Sequence, residues 1–210
     1  MRRTVVTVLT VAILALAAGA AVQAAKFKSI WKAPDVERLG FAGKKVAAAV
    51  ISDDQDLQVS AEEALANELI ARGVKGVAAY RVIPREEMRD KVKVKGWFER
   101  SGVEGLVVMR IISADKEVSY TPDVWVTTMY SNPWDYYAYG WGTAIGGVTR
   151  REDMVVSIET LVYDVTKAKL LWAGVSEKTN PKDTRKTVQE LVKAIASEMR
   201  KEGLVPKGRP

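Results

Sequence analysis

The chain has 210 residues, no Cys and no His, and is 48% hydrophobic and 28% charged. That composition excludes a disulfide framework, a zinc finger, a His-ligated haem, a Ser-His-Asp triad and a Cys nucleophile, and leaves acid–base chemistry to Asp, Glu, Lys or Tyr. The formal net charge is +6; setting aside Arg2 and Arg3 leaves 30 basic against 26 acidic residues, or +4, a solubility-level charge and not a nucleic-acid footprint.

Met1-Arg2-Arg3 is a short positive segment, and Thr4 to Ala25 follows without a charge. Small residues around Val22-Gln23-Ala24-Ala25 offer cleavage after Ala24 or Ala25. Residues 1–25 therefore read as a secretory signal peptide. The alternative is an uncleaved anchor in the inner membrane, because the run is long enough to span a bilayer. The expected location is periplasmic or secreted. The absence of Cys removes a lipid attachment site and means the fold stands on packing alone.

Residues 26–204 read as one domain, and 205–210 as a disordered tail. Lys26 to Gly43 is an extended lead-in. Lys45 to Ile51 is a continuous apolar run, the pattern of a strand buried on both faces. Ser60-Ala-Glu-Glu63 has the form of a capping box opening a helix through Leu65 and Leu69, with Gly73 as its left-handed stop. Val77 to Ile83 is a second strand. Pro84 suits a first helical turn, and Met88 and Val92 share a face in the charged stretch beyond it.

Gly105 to Ile112 is a third buried strand, continuing into an alternating stretch, Glu117 to Thr128. Asp153 to Asp164 alternates cleanly, with Val156, Ile158, Thr160 and Val162 on one face and Ser157, Glu159, Leu161 and Tyr163 on the other. Lys169 to Lys178 returns as its hairpin partner. Thr179-Asn180-Pro181 opens a last helix whose Val188, Leu191, Val192, Ile195 and Met199 form an amphipathic stripe closed by Gly203. The order β-α-β-α-β-β-β-α predicts an α/β (α+β) fold: a mixed sheet of about five or six strands, the first three parallel, with helices packed on it.

Eight of the sixteen aromatic residues fall within Tyr120 to Trp141, in an insertion spanning 120–147. Trp125, Tyr130, Trp134, Tyr136, Tyr137, Tyr139 and Trp141 are candidate binding residues, since such rings combine large apolar area with a polar handle. Three readings are open: a lid folded back on the sheet, a surface for a protein or glycan partner, and contact with a membrane interface. Gly142 to Gly147 has no following Gly-Lys-Ser/Thr and is not a phosphate loop.

Asp53, Asp54 and Asp56 lie at the carboxyl end of the first predicted strand, where ligands of open α/β sheets tend to bind. They are weak candidates for a Mg²⁺ or Ca²⁺ site and miss the EF-hand spacing; a solvated loop is the plainer reading. Lys91, Lys93 and Lys95 read as a solvated face, with phosphate binding as the alternative.

The succession Lys45-Val-Ala-Ala-Ala-Val-Ile51, a helix with Leu65 and Leu69, Arg81-Val-Ile-Pro84 and Ser101-Gly-Val-Glu-Gly-Leu-Val-Val108 resembles small exported bacterial envelope α/β domains. These include the curli-secretion lipoprotein, the penicillin-binding-protein activator lipoprotein and related exported domains of unknown function. The hairpin Leu161-Val-Tyr-Asp-Val-Thr-Lys-Ala-Lys-Leu-Leu-Trp-Ala-Gly174 is similar to their Asp-X-X-X-X-Lys-Leu-X-Trp-X-Gly hairpin. The resemblance spans roughly residues 44–203 and implies an envelope accessory or scaffold domain with no catalytic residues to carry over. This chain departs from the pattern in lacking the lipidated Cys and in carrying the aromatic insertion.

The expectation is a non-enzymatic, exported accessory protein that binds an envelope protein or glycan, through the aromatic segment or a sheet edge. No cofactor and no nucleic acid are expected, and a homo-oligomer is open. The alternatives are a metal-assisted hydrolase on Asp53, Asp54 and Asp56, or a small-ligand binder under the aromatic segment.

Overall fold

A computed structural model describes residues 26–113, 122–144, 155–179 and 184–201. The leader, the cleavage positions after Ala24 and Ala25, the Gly142–Gly147 return beyond Ala144, Gly203 and the tail 205–210 lie outside the described residues. Among the described residues no helix is long and apolar enough to cross a membrane.

The fold is α/β, as the order of elements predicts. Six strands, β1 (Lys26–Lys32), β2 (Lys45–Ile51), β3 (Lys75–Ala78), β4 (Gly105–Ser113), β5 (Val155–Asp164) and β6 (Lys169–Thr179), form one mixed sheet in the order β1-β6-β5-β4-β2-β3. β2 pairs in parallel with β3 and with β4, and the remaining pairings are antiparallel. The sixth strand is the lead-in: Lys26–Lys32 pairs with β6 at the sheet edge.

Two crossovers of one hand that run in opposite directions across the sheet, β2 to β3 and then β3 back past β2 to β4, must pass over opposite faces. Accordingly α1 (Gln55–Ile70) and α2 (Lys91–Arg100) cover different faces. On the first face, Ala61 and Leu65 of α1 pack with Val188, Leu191, Val192, Ile195 and Met199 of α5 (Thr184–Lys201) over Val46, Ala48, Val107 and Met109. On the second, Val94 and Phe98 of α2 pack over Ala47, Ala49, Leu106 and Val108. The β5 alternation holds: Val156, Ile158 and Val162 join the first core, Leu161 and Tyr163 the second.

Four local expectations are corrected. α1 begins at Gln55, not after Ser60: Asp54 Oδ1 accepts the Leu57 N–H at 3.0 Å as the N-cap, while Ser60 sits inside the helix and donates to the Leu57 carbonyl. Gly73 does carry the left-handed turn beyond the helix, at φ +78°. The second strand is short, because β3 ends at Ala78 and the chain tightens into a 3-10 turn, Ala79–Arg81. Met88 and Val92 share no face, because a 3-10 turn at Arg85–Glu87 and the Asp90 cap of α2 separate them; Met88 is buried and Val92 is 73% exposed. Finally, the described part of the stretch Glu117 to Thr128 is no strand: Pro122–Val126 is a 3-10 turn that buries Trp125.

The aromatic insertion folds into α3 (Thr128–Ser131) and α4 (Pro133–Gly142). Asn132 caps α4, accepting the Trp134 N–H, and Pro133 occupies its first turn, where a missing N–H costs nothing. Gly140 lets this helix lie directly on the sheet: a Cβ there would stand 2.4 Å from Ile51 Cδ1.

Candidate functional site

The aromatic segment is a packed layer. Trp125, Tyr130, Trp134, Tyr136, Tyr137 and Trp141 are buried, and Tyr139 is half-buried. Trp125 and Tyr130 meet edge to face at 5.2 Å, Tyr130 and Tyr136 lie at 5.6 Å, and Tyr136 and Tyr163 at 6.2 Å. The Tyr163 hydroxyl donates to the Tyr130 carbonyl, and the Trp125 indole N–H to Ser29 Oγ. Of the three readings of the insertion, the geometry is that of the lid folded back on the sheet. Rings packed in such a layer stabilise the body through the apolar area they bury.

Beneath this layer lies a charge pair. Arg110 is the lone charge in the apolar β4, and Glu159 sits beside it in register on β5. Their side chains are 4% and 0% exposed and meet at 2.9 Å. Glu159 Oε2 accepts from Arg110 Nη2 and Nε and, at 2.5 Å, from the Tyr136 hydroxyl, whereas its Oε1 is buried with no partner. Arg110 also donates to Thr143 Oγ1 and stacks 4.8 Å from the Tyr139 ring. Burial disfavours the charged guanidinium, but Tyr136 and Glu159 more than offset it and hold the Arg110 pKa above its ordinary value. Burial, then the Glu159 charge, push the Tyr136 hydroxyl well above its own.

A second buried carboxylate explains why β3 ends early. Glu62 of α1 is 1% exposed. Its Oε1 accepts the Val50 N–H at 3.0 Å and Gln58 Nε2 at 3.1 Å, and its Oε2 accepts the Tyr80 N–H at 2.8 Å. The carboxylate thus takes over two backbone donors where β2 and β3 part. Burial pushes its pKa up from 4.5 to about 7, against the pull of those three donors. Between these values the folded state binds more protons than the unfolded one, so the Glu62 share of stability declines as pH rises from about 4.5 to about 7. Thermal midpoints measured across that interval are expected to fall in the native chain. In Glu62→Gln, which has a lower midpoint because its amide meets the Tyr80 N–H, the fall is expected to flatten.

The concavity nearest to these groups opens at the carboxyl edge of β2. Ser52, Asp53, Gln58, Arg85, Met88, Arg89 and Trp141 line a cleft of about 70 Å³. Asp53 Oδ1 accepts from Arg89 Nη2 at 2.6 Å, and the Arg89 guanidinium lies 5.3 Å from the Trp141 ring. Ser52 Oγ accepts the Asp54 N–H at 3.1 Å, and Gln58 Nε2 donates to Glu62 and to Met88 Sδ. Asp53 therefore faces an arginine, Asp54 caps a helix and Asp56 stands exposed in the first turn of α1. Among the described residues no three metal-ligating side chains converge. Lys91, Lys93 and Lys95 are exposed on α2 and pair with Asp135, Glu87 and Glu99.

The wall residues Gln58, Arg85, Arg89 and the pair Arg110–Glu159 escape a motif reading. The only sequence signals are a charge inside each of two apolar strands. The cleft itself joins three segments far apart in the chain.

No protein-family model matches the chain, and no curated protein matches it. Among solved structures, it is similar to a PelC point-variant dodecamer from Paraburkholderia phytofirmans, at 15% identity over 82% of this chain and 96% of that chain, with a TM-score of 0.45. A second PelC dodecamer from that organism is 13% identical over 84% and 97%, with a TM-score of 0.42. Lipoprotein GNA1162 from Neisseria meningitidis is 13% identical over 76% and 99%, with a TM-score of 0.39. At this distance the site has to be read from the chain's own side chains.

Proposed function

We propose that the chain is an exported bacterial envelope protein of accessory type, non-enzymatic, periplasmic or secreted, which holds an envelope protein or glycan and transforms nothing. The contact point is the cleft between Ser52 and Trp141, at the end of the parallel strands where open α/β sheets bind their ligands. Export is supported by the positive start, uncharged run and small-residue cleavage positions of residues 1–25.

One observation carries the non-enzymatic reading. Among the described residues three carboxylates are buried, and all are engaged by structural partners: Glu62 by the Val50 and Tyr80 amides, Glu159 by Arg110 and Tyr136, and Glu177 by Ser157 and Lys28. The chain has no His or Cys to replace them. The cleft then offers guanidinium, amide and hydroxyl groups, and its one carboxylate, Asp53, is paired with Arg89.

The small-ligand reading agrees with this placement, since the cleft lies against Trp141 of the aromatic layer. The sheet edge is less favoured as the contact: β1 carries Lys26, Lys28 and Lys32, the residue type that discourages strand addition. The hydrolase reading would require Asp53 to leave Arg89 and Asp54 to abandon its helix cap.

The test is made in the native envelope. With its own leader, the chain is expected in the periplasmic or secreted fraction, beginning after Ala24 or Ala25. A photoreactive residue replacing Arg85 is expected to cross-link a defined adduct, and one replacing Val92 is expected to give none. Intact precursor inside the cell, or equal cross-linking from both positions, contradicts the proposal. Calorimetry with Mg²⁺, Ca²⁺ and Mn²⁺ is expected to show no heat, and a saturable heat abolished by Asp53→Asn would restore the hydrolase reading.

A further inference from the structure

From the chemistry of its walls we infer that the cleft at the carboxyl edge of β2 is an oxyanion site, taking one phosphate or carboxylate group between Arg85 and Arg89. This rests on the reading that the cleft is where the chain binds, and adds the chemical class of what it holds.

Four observations support it. First, the Arg85 side chain is exposed on the cleft wall and makes no ion pair or hydrogen bond among the described residues. Its planar fork of donors suits an oxyanion. Second, Arg89 meets Asp53 Oδ1 on one side and the Trp141 ring on the other, which places its guanidinium at the cleft. Third, Arg89 compensates the Asp53 charge, so Arg85 leaves the cleft with one net positive charge. Fourth, a neutral donor lies beside the two cations. Ser52 is 2% exposed and already accepts from the Asp54 N–H, which leaves its own hydroxyl proton to donate. Trp141, 8% exposed, closes the cleft beside them.

Size narrows the class. About 70 Å³ is several times the roughly 10–15 Å³ that one water needs on the same measure. It is room for a group of a few heavy atoms and not for a nucleotide. The ligand enters the cleft with a single charged end, and the rest of it remains outside.

Inorganic phosphate and acetate are the probes, titrated at constant ionic strength into the intact mature chain while ¹H–¹⁵N spectra follow the Trp141 indole and the Arg89 Nε–H. A saturable shift of both signals is expected with at least one probe. Arg85→Gln, exposed and unpaired and therefore neutral to folding, is expected to weaken that binding about tenfold or more, since a hydrogen bond to a charged group contributes about 1.5–3 kcal/mol. Arg38→Gln, an exposed arginine at the other end of the sheet, is expected to leave it unchanged. Vesicles of phosphatidylglycerol identify the source: flotation with them that Arg85→Gln abolishes assigns the oxyanion to a lipid headgroup, and no flotation assigns it to a soluble ligand. Shifts that do not saturate, or that are equal in the native chain and Arg85→Gln, overturn the inference. If a photoreactive residue at position 85 still yields its adduct in that case, the cleft remains the contact point and only the oxyanion assignment falls.

Discussion

Arg110→Met is expected to cost about 3–5 kcal/mol in urea unfolding, because it leaves the Glu159 carboxylate buried without its cation. Glu159 is 0% exposed and has one oxygen that already lacks a partner. Every donor it has converges on Oε2, and Arg110 supplies two of the three through Nε and Nη2. The double variant Arg110→Met/Glu159→Gln removes the uncompensated charge and keeps an acceptor for the Tyr136 hydroxyl. It is expected to recover at least half of the loss. Such non-additivity is the signature of a buried pair acting as a unit. Two independent, additive losses would show that Arg110 and Glu159 do not meet in the folded chain.

Trp125→Ala is expected to cost about 3–5 kcal/mol, the range for deleting a buried aromatic side chain. Trp125 is 0% exposed, packs edge to face on Tyr130 and donates to Ser29. Its chain neighbour Val126 is 62% exposed, and Val126→Ala is expected to stay within about 0.5 kcal/mol. Thermal unfolding of the two variants separates a packed layer from an open loop, since in a loop both changes would be small. The same argument applies to Trp134, Tyr137 and Trp141: replacing all three by Ala removes core, so lost partner capture in that variant would report unfolding and not a missing contact.

The parts of the fold legible in the sequence are those whose burial is periodic. Val46 to Ile51, and Gly105 to Ile112 apart from Arg110, are apolar because β2 and β4 are covered on both faces, and the α5 stripe from Val188 to Met199 faces a single core. The parts that were not legible depend on contacts between distant segments. Ser60 with Glu63 and Asp54 with Leu57 are both acceptable helix starts locally. Tertiary structure favours the earlier start, which puts Gln58 one helical turn before Glu62, where its Nε2 donates to the carboxylate that holds the Val50 and Tyr80 amides. That same carboxylate ends β3, which no run of residues around Val77 announces. The aromatic segment was conspicuous in composition but silent about direction. Whether the rings of α4 face a partner or a sheet turns on Gly140, which lets α4 approach Ile51. The cleft was least legible, since Ser52, Gln58, Arg89 and Trp141 become neighbours only when three distant segments close around the end of β2.

If the rings form a structural layer and binding falls to the polar cleft beside it, the backbone of α4 must be as well protected as the strand beneath. Hydrogen exchange on the intact mature chain measures this directly. The amides of Tyr136 to Trp141 are predicted to exchange as slowly as those of Val107 to Arg110 in β4. Complete exchange of Tyr136 to Trp141 within seconds, with β4 still protected, would contradict the account and return the aromatic segment to the surface.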